Sequence, residues 1–167
     1  MTTICLEDPS DVGFFANDGI SRAVSDSGSV PARQLKDVEV RFLESWAGRS
    51  YSVAQRSLSC AATEALAGNW DGYGARAVDL MAVNHALRLL RHIPAGLPAP
   101  HVAIDPDGEV SFEWHREPRS VFSVSVGPDG QLSYAGLFGR STVRGFEAYF
   151  AGDLPSEIRS GLRRVFS

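Results

Sequence analysis

From Pro100 onward the apolar residues fall at every second position, and two nearly identical Pro-Asp-Gly turns punctuate that rhythm. Val102 and Ile104 begin it. Val110, Phe112 and Trp114 then share one side of a run whose other side is Ser111, Glu113 and His115; Phe122, Val124 and Val126 repeat the pattern, and Leu132 and Tyr134 continue it. A period of two is that of a strand with one buried face. The joints are Asp105-Pro106-Asp107-Gly108 and Gly127-Pro128-Asp129-Gly130, in which Pro presets one backbone angle and Gly accepts a positive one. Such short joints connect antiparallel neighbours, because parallel strands need a long crossover. A fifth strand is expected over 142–149, with Gly145 marking a bulge or a bend.

Upstream of Pro100 the period is helical. Leu80, Val83, Leu87 and Leu90 share one face of a helix over 80–92, with Asn84, Arg88 and Arg91 off it. Asp79 is placed to cap its start, Val78 and Val83 to form a hydrophobic staple, and Pro94 and Gly96 to end it. An Ala- and Leu-rich helix is expected over 52–67, with Val53, Leu58, Ala61, Ala62, Ala65 and Leu66 as its apolar stripe and Gly68 as its left-handed stop. A shorter helix is expected over 35–46, with Val38, Phe42, Leu43 and Trp46 on one side. The chain closes with a helix over 155–165 carrying Ile158, Leu162 and Val165.

Helices, then strands, then a helix: this segregation predicts an α+β fold, an antiparallel four- to five-stranded meander packed against two N-terminal-side helices and a C-terminal helix. It excludes a parallel nucleotide-binding sheet. Residues 1–35, with Asn17-Asp18-Gly19, the run Ser25 to Ser29 and the aperiodic Ile4, Leu6, Phe14, Phe15 and Ile20, read as an irregular N-terminal arm ahead of a single domain over 36–167.

Composition narrows function mainly by exclusion. The net charge is -4 and Lys36 is the only lysine, a poor endowment for gripping phosphate backbones, so a nucleic-acid partner is disfavoured. Cys5 and Cys60 lack any C-x-x-C spacing and read as reduced thiols, giving neither a disulfide framework nor zinc. His85, His92, His101 and His115 have no metal-ligand spacing, so no metal and no cofactor is expected. No stretch approaches the roughly 18 apolar residues of a membrane span, so a cytoplasmic protein with no membrane partner is expected.

One segment stands out. Gly68-Asn69-Trp70-Asp71-Gly72-Tyr73-Gly74-Ala75, followed by Val110-Ser111-Phe112-Glu113-Trp114 and Leu132-Ser133-Tyr134-Ala135-Gly136, resembles a family of small uncharacterised bacterial proteins carrying an N-W-D-G-Y-G-A motif. The likeness spans residues 52–166 and implies a domain of this type, with no established activity to carry over.

The candidate binding residues are Asn69, Trp70, Asp71, Tyr73, Glu113 and Tyr134. Trp70 and Tyr73 suit the anchoring of a partner, with Asn69 and Asp71 supplying directional hydrogen bonds. The plainer reading of the same loop packs both aromatics on the sheet and spends Asn69 and Asp71 on backbone amides. Glu113 and His115 share a strand face, an arrangement capable of acid–base work but more often a solvated sheet surface. No catalytic residue is assigned. The leading expectation is a non-catalytic protein-interaction module of inhibitor, antitoxin, immunity or adaptor type, a counter-defence protein of a mobile element among them, whose partner is another protein or a second copy of itself. Two alternatives stand beside it. One is a small enzyme or ligand-binding domain with a pocket between the 68–75 loop and the sheet, lined by Trp70, Asp71, Tyr73, His101 and Glu113. The other is a nucleic-acid-binding protein using Arg140, Arg144, Arg159, Arg163 and Arg164.

Overall fold

A computed structural model describes residues 32–148 and 153–167, with side chains from residue 48 onward. Of the irregular arm expected over 1–35, residues 1–31 lie outside what is described and residues 32–35 belong to a helix instead, while the apolar side of the 35–46 helix also lies outside what is described. The chain divides into two compact units, Met1–Val40 and Arg41–Ser167, and the fold below is that of the second.

The element order is α1 (Ala32–Glu64), α2 (Leu80–His92), β1 (His101–Ile104), β2 (Val110–Glu117), β3 (Ser120–Val126), β4 (Gln131–Phe138), β5 (Ser141–Ala148) and α3 (Ser156–Phe166). The five strands form one open antiparallel sheet in sequence order, a meander, with helices flanking it in an α+β arrangement. No helix among the described residues is long and apolar enough to cross a membrane.

The period-two pattern decides which face of the sheet is covered. Val110, Phe112, Trp114, Phe122, Val124, Val126 and Leu132 are all buried and pack with Ala54 and Leu58 of α1, Leu89 and Leu90 of α2, and Ile158, Leu162 and Val165 of α3. Burial of each large side chain here stabilises the fold by roughly 1.5–3 kcal/mol. Trp114 brings its polar handle inside, its indole N–H donating to the Pro98 carbonyl at 3.2 Å. Gly161 of α3 lies flat on the Phe122 ring, where any Cβ would collide with it, so the missing side chain is what lets helix and sheet approach. Arg116 and the Ser120 hydroxyl donate to the carbonyls of Ser167 and Val165, covering the C-terminal end of α3.

Four local expectations are corrected. The two helices expected over 35–46 and 52–67 are one continuous helix, α1. Ser52, Ser59 and Thr63 bond back to the carbonyls of Gly48, Gln55 and Ser59, which keeps its polar side hydrogen-bonded without breaking it. The left-handed residue after α1 is Asn69, at φ 61°, rather than Gly68. Gly145 makes no bulge: β4 and β5 pair without interruption, and Gly145 is needed because the Tyr134 ring opposite lies across it, its Cζ 2.7 Å from where a Cβ would stand. The register irregularity of the sheet falls instead between His115 and Glu117. Finally, Cys60 is disulfide-bonded rather than a reduced thiol, and Cys5 lies outside the described residues.

Candidate functional site

The connection between α1 and α2 is built around its aspartates and glycines. Asn69, in the left-handed conformation that a short polar side chain tolerates, donates its N–H to the Ala75 carbonyl at 2.6 Å and accepts from Gly74 N–H through Oδ1 at 2.8 Å. Asp71 Oδ1 accepts from the amides of Tyr73 at 2.8 Å and Ala75 at 3.1 Å. Those two amide donors hold its carboxyl below the ordinary Asp range. The Trp70 indole N–H reaches the Arg76 carbonyl at 3.0 Å, and Gly72 and Gly74 supply the positive φ the tight path demands.

The far half of the connection is tied down on both sides. Val78 N–H donates to the Ala65 carbonyl at the end of α1, while Arg76 and Asp79 N–H donate to the carbonyls of Pro106 and Gly108 in the β1–β2 turn. Asp79 then caps α2 as expected, accepting from Met81 N–H at 2.8 Å.

What this fixed backbone presents is apolar. Among the described residues seven large hydrophobic side chains are exposed, and five of them, Leu66, Trp70, Tyr73, Leu80 and Met81, belong to this connection and the helix start beside it. Tyr73 is 95% exposed and Trp70 37%. Tyr73 therefore does not pack on the sheet as the plainer reading required, whereas Trp70 is more than half covered, and the other half of that reading holds, since Asn69 and Asp71 are spent on backbone amides.

Leu66, Leu80 and Met81 went unseen as surface residues because the sequence pattern put the first two on core stripes. The buried face of α2 is Ala82, Ala86, Leu89 and Leu90, which turns Leu80 outward. Ala82 and Ala86, four apart and followed three residues on by Leu89, were the available signal, outweighed by the larger Val83 and Leu87 beside them.

The other candidates do not converge on this loop. Glu113 lies on the open face of the sheet, exposed, opposite His101 on β1 and Ser123 on β3. Tyr134 lies on the covered face, half-buried, its ring 6.0 Å from Phe122. Asn69, Trp70, Asp71 and Tyr73 thus form one group, while Glu113 and Tyr134 sit on opposite faces of the sheet and belong to neither it nor each other. Three surface cavities among the described residues take no lining residue from 69–74: one under Pro94 to Pro100, one of about 460 Å³ over Ser123, Ser133 and Arg144, and one of about 290 Å³ between β4, β5 and α3. No group of three or more His, Cys, Asp or Glu that could hold a metal occurs among the described residues.

Comparison with protein-family models, with curated proteins and with solved structures finds no match.

Proposed function

We propose that the chain is a non-catalytic protein-interaction module, of the inhibitor, antitoxin, immunity or adaptor type, that docks another protein on the α1–α2 connection. The observation that carries this reading is the concentration of exposed Leu66, Trp70, Tyr73, Leu80 and Met81 on a backbone whose own hydrogen bonds already hold it. A rigid aromatic on a fixed loop loses little conformational freedom on binding, the property that makes Tyr and Trp frequent interface anchors. The alternative of a pocket lined by Trp70, Asp71, Tyr73, His101 and Glu113 draws no support from Asp71, whose Oδ1 is committed to two amides, nor from Glu113, which belongs to the open sheet face.

The test is quantitative capture from the native host with the tagged full chain beside Tyr73→Ser and Tyr73→Ser/Leu80→Ser variants. A partner is expected to be retained by the wild type, with affinity falling about tenfold or more on loss of Tyr73 and further in the double variant. A chain that emerges alone, or a partner profile indifferent to both substitutions, would sink the proposal.

A further inference from the structure

The two edges of the sheet are unequally protected. β1 is only four residues long and follows Pro98 and Pro100, which cannot donate to a further strand. β5 is twice that length, contains no proline and no lysine, runs in unbroken register along β4, and has no strand on its far side among the described residues. A long edge free of proline and bulges is a template for another strand. Phe146, at 71% exposed the second most exposed large apolar side chain described, stands on this edge strand on the open face of the sheet, two residues from the exposed Arg144 on the same side.

The sequence of β5 is also complementary to itself. When two copies pair antiparallel about a two-fold axis perpendicular to the sheet, residues of equal parity stand opposite each other, so the axis must pass through a residue. With the axis at Gly145, Arg144 of each copy faces Phe146 of the other on the open face, forming two symmetric cation–π pairs. An axis at Arg144 would set the two guanidinium groups against each other, and an axis at Phe146 would pair the two Phe146 rings but leave each Arg144 opposite Ala148, with no partner for its charge. Gly145 at the axis also keeps the closest approach free of side chains, and its glycine identity is already required by Tyr134 of β4.

From this edge we infer that the protein forms a two-fold symmetric dimer through antiparallel β5–β5 pairing, the occupant of each edge being a second copy of this chain in the register that sets Arg144 against Phe146. The two five-stranded sheets then run on as one sheet of ten strands. The surface used is separate from residues 66–81, so docking of another protein there and dimer formation here stand or fall independently.

Sedimentation equilibrium of the full chain, from about 1 μM to about 1 mM, spans the dissociation constants of weak symmetric dimers. A reversible monomer–dimer equilibrium is expected. Phe146→Arg, which places like charges opposite each other twice, should raise the dissociation constant about tenfold or more. The swap Arg144→Phe/Phe146→Arg rebuilds both pairs with the roles exchanged and should restore it to within about threefold of the wild type. A chain monomeric throughout, a dimer that Phe146→Arg leaves unchanged, or a swap no tighter than Phe146→Arg overturns the inference. Should a variant fail to fold, amide hydrogen exchange of the wild type decides: protection over 141–148 must rise with protein concentration, and protection independent of concentration overturns it equally.

Discussion

The 69–75 loop and the 105–109 turn use the same residues to opposite ends. In each, an aspartate side chain accepts from an amide two residues ahead, Asp71 from Tyr73 and Asp107 from Glu109, and a glycine takes a positive φ. In the turn, the carbonyls left over point at a neighbour: Pro106 and Gly108 accept from Arg76 and Asp79, Gly108 is buried, and the residues left exposed, Pro106 and Asp107, carry no large aromatic. In the loop the bonds among Asn69, Asp71, Gly72, Gly74 and Ala75 close on themselves, and the Tyr73 side chain between them is left to solvent, with Trp70 partly exposed beside it. Local sequence chemistry makes both compact. Whether a compact loop anchors or presents depends on where its remaining backbone groups go, and here the anchor holds the presenter in place.

The sharpest way to break that contrast is to give each its first side-chain carbon. Gly72 and Gly108 have similar φ, 77° and 88°, but nothing lies within 4 Å of a Cβ at Gly72, whereas one at Gly108 would stand 2.6 Å from the Ala77 carbonyl oxygen. Gly72→Ala should therefore cost only the left-handed backbone penalty, about 1 kcal/mol. Gly108→Ala adds a collision with backbone that the Arg76 and Asp79 bonds hold in place, for a total of roughly 3 kcal/mol. Urea unfolding of both variants measures the difference. Equal costs would mean that the turn does not buttress the connection.

The same contrast explains how much was legible beforehand. The sheet was readable because a two-residue period has one buried solution and the two Pro-Asp-Gly turns fix the β1–β2 and β3–β4 connections; the fifth strand was expected over 142–149 in a four- to five-stranded meander, with the role of Gly145 misassigned. That role depends on Tyr134, eleven residues away in sequence and directly opposite in register, which no local pattern reveals. In the candidate site, the hydrogen-bonding duty of Asn69 and Asp71 followed from their short side chains beside glycines. The exposure of Tyr73 did not, because an aromatic serves core and surface alike and only tertiary packing chooses. Nor did the outward turn of Leu80, since a stripe one residue over, built partly of alanine, packs more closely than the leucine stripe that periodicity favoured. Glu113 and Tyr134 were grouped with the loop by motif alone, and the strand pleat separates them.

The smallest expected effects distinguish the two loops by the sign of their pH dependence. Donation from the Tyr73 and Ala75 amides lowers the carboxyl of Asp71, so its charge contributes stability that is present above the unfolded Asp value and lost as pH falls through the depressed folded one. Asp71→Asn keeps an oxygen for those amides but removes the charge. It should therefore be less stable than the wild type at neutral pH and converge with it in acid. Glu109, at the end of the turn, is pushed up first by burial and then by Asp107, Asp105 and Asp129. Its contribution is fully present below the unfolded Glu value and lost as pH rises through the raised folded one, so at neutral pH its charge is a burden. Glu109→Gln should be slightly more stable than the wild type at neutral pH, again converging in acid. Denaturant midpoints of the three proteins across the acid-to-neutral range test both at once, and differences of the same sign, or offsets that ignore pH, would show that the carboxylates of the presenting loop and the anchoring turn are not held as described.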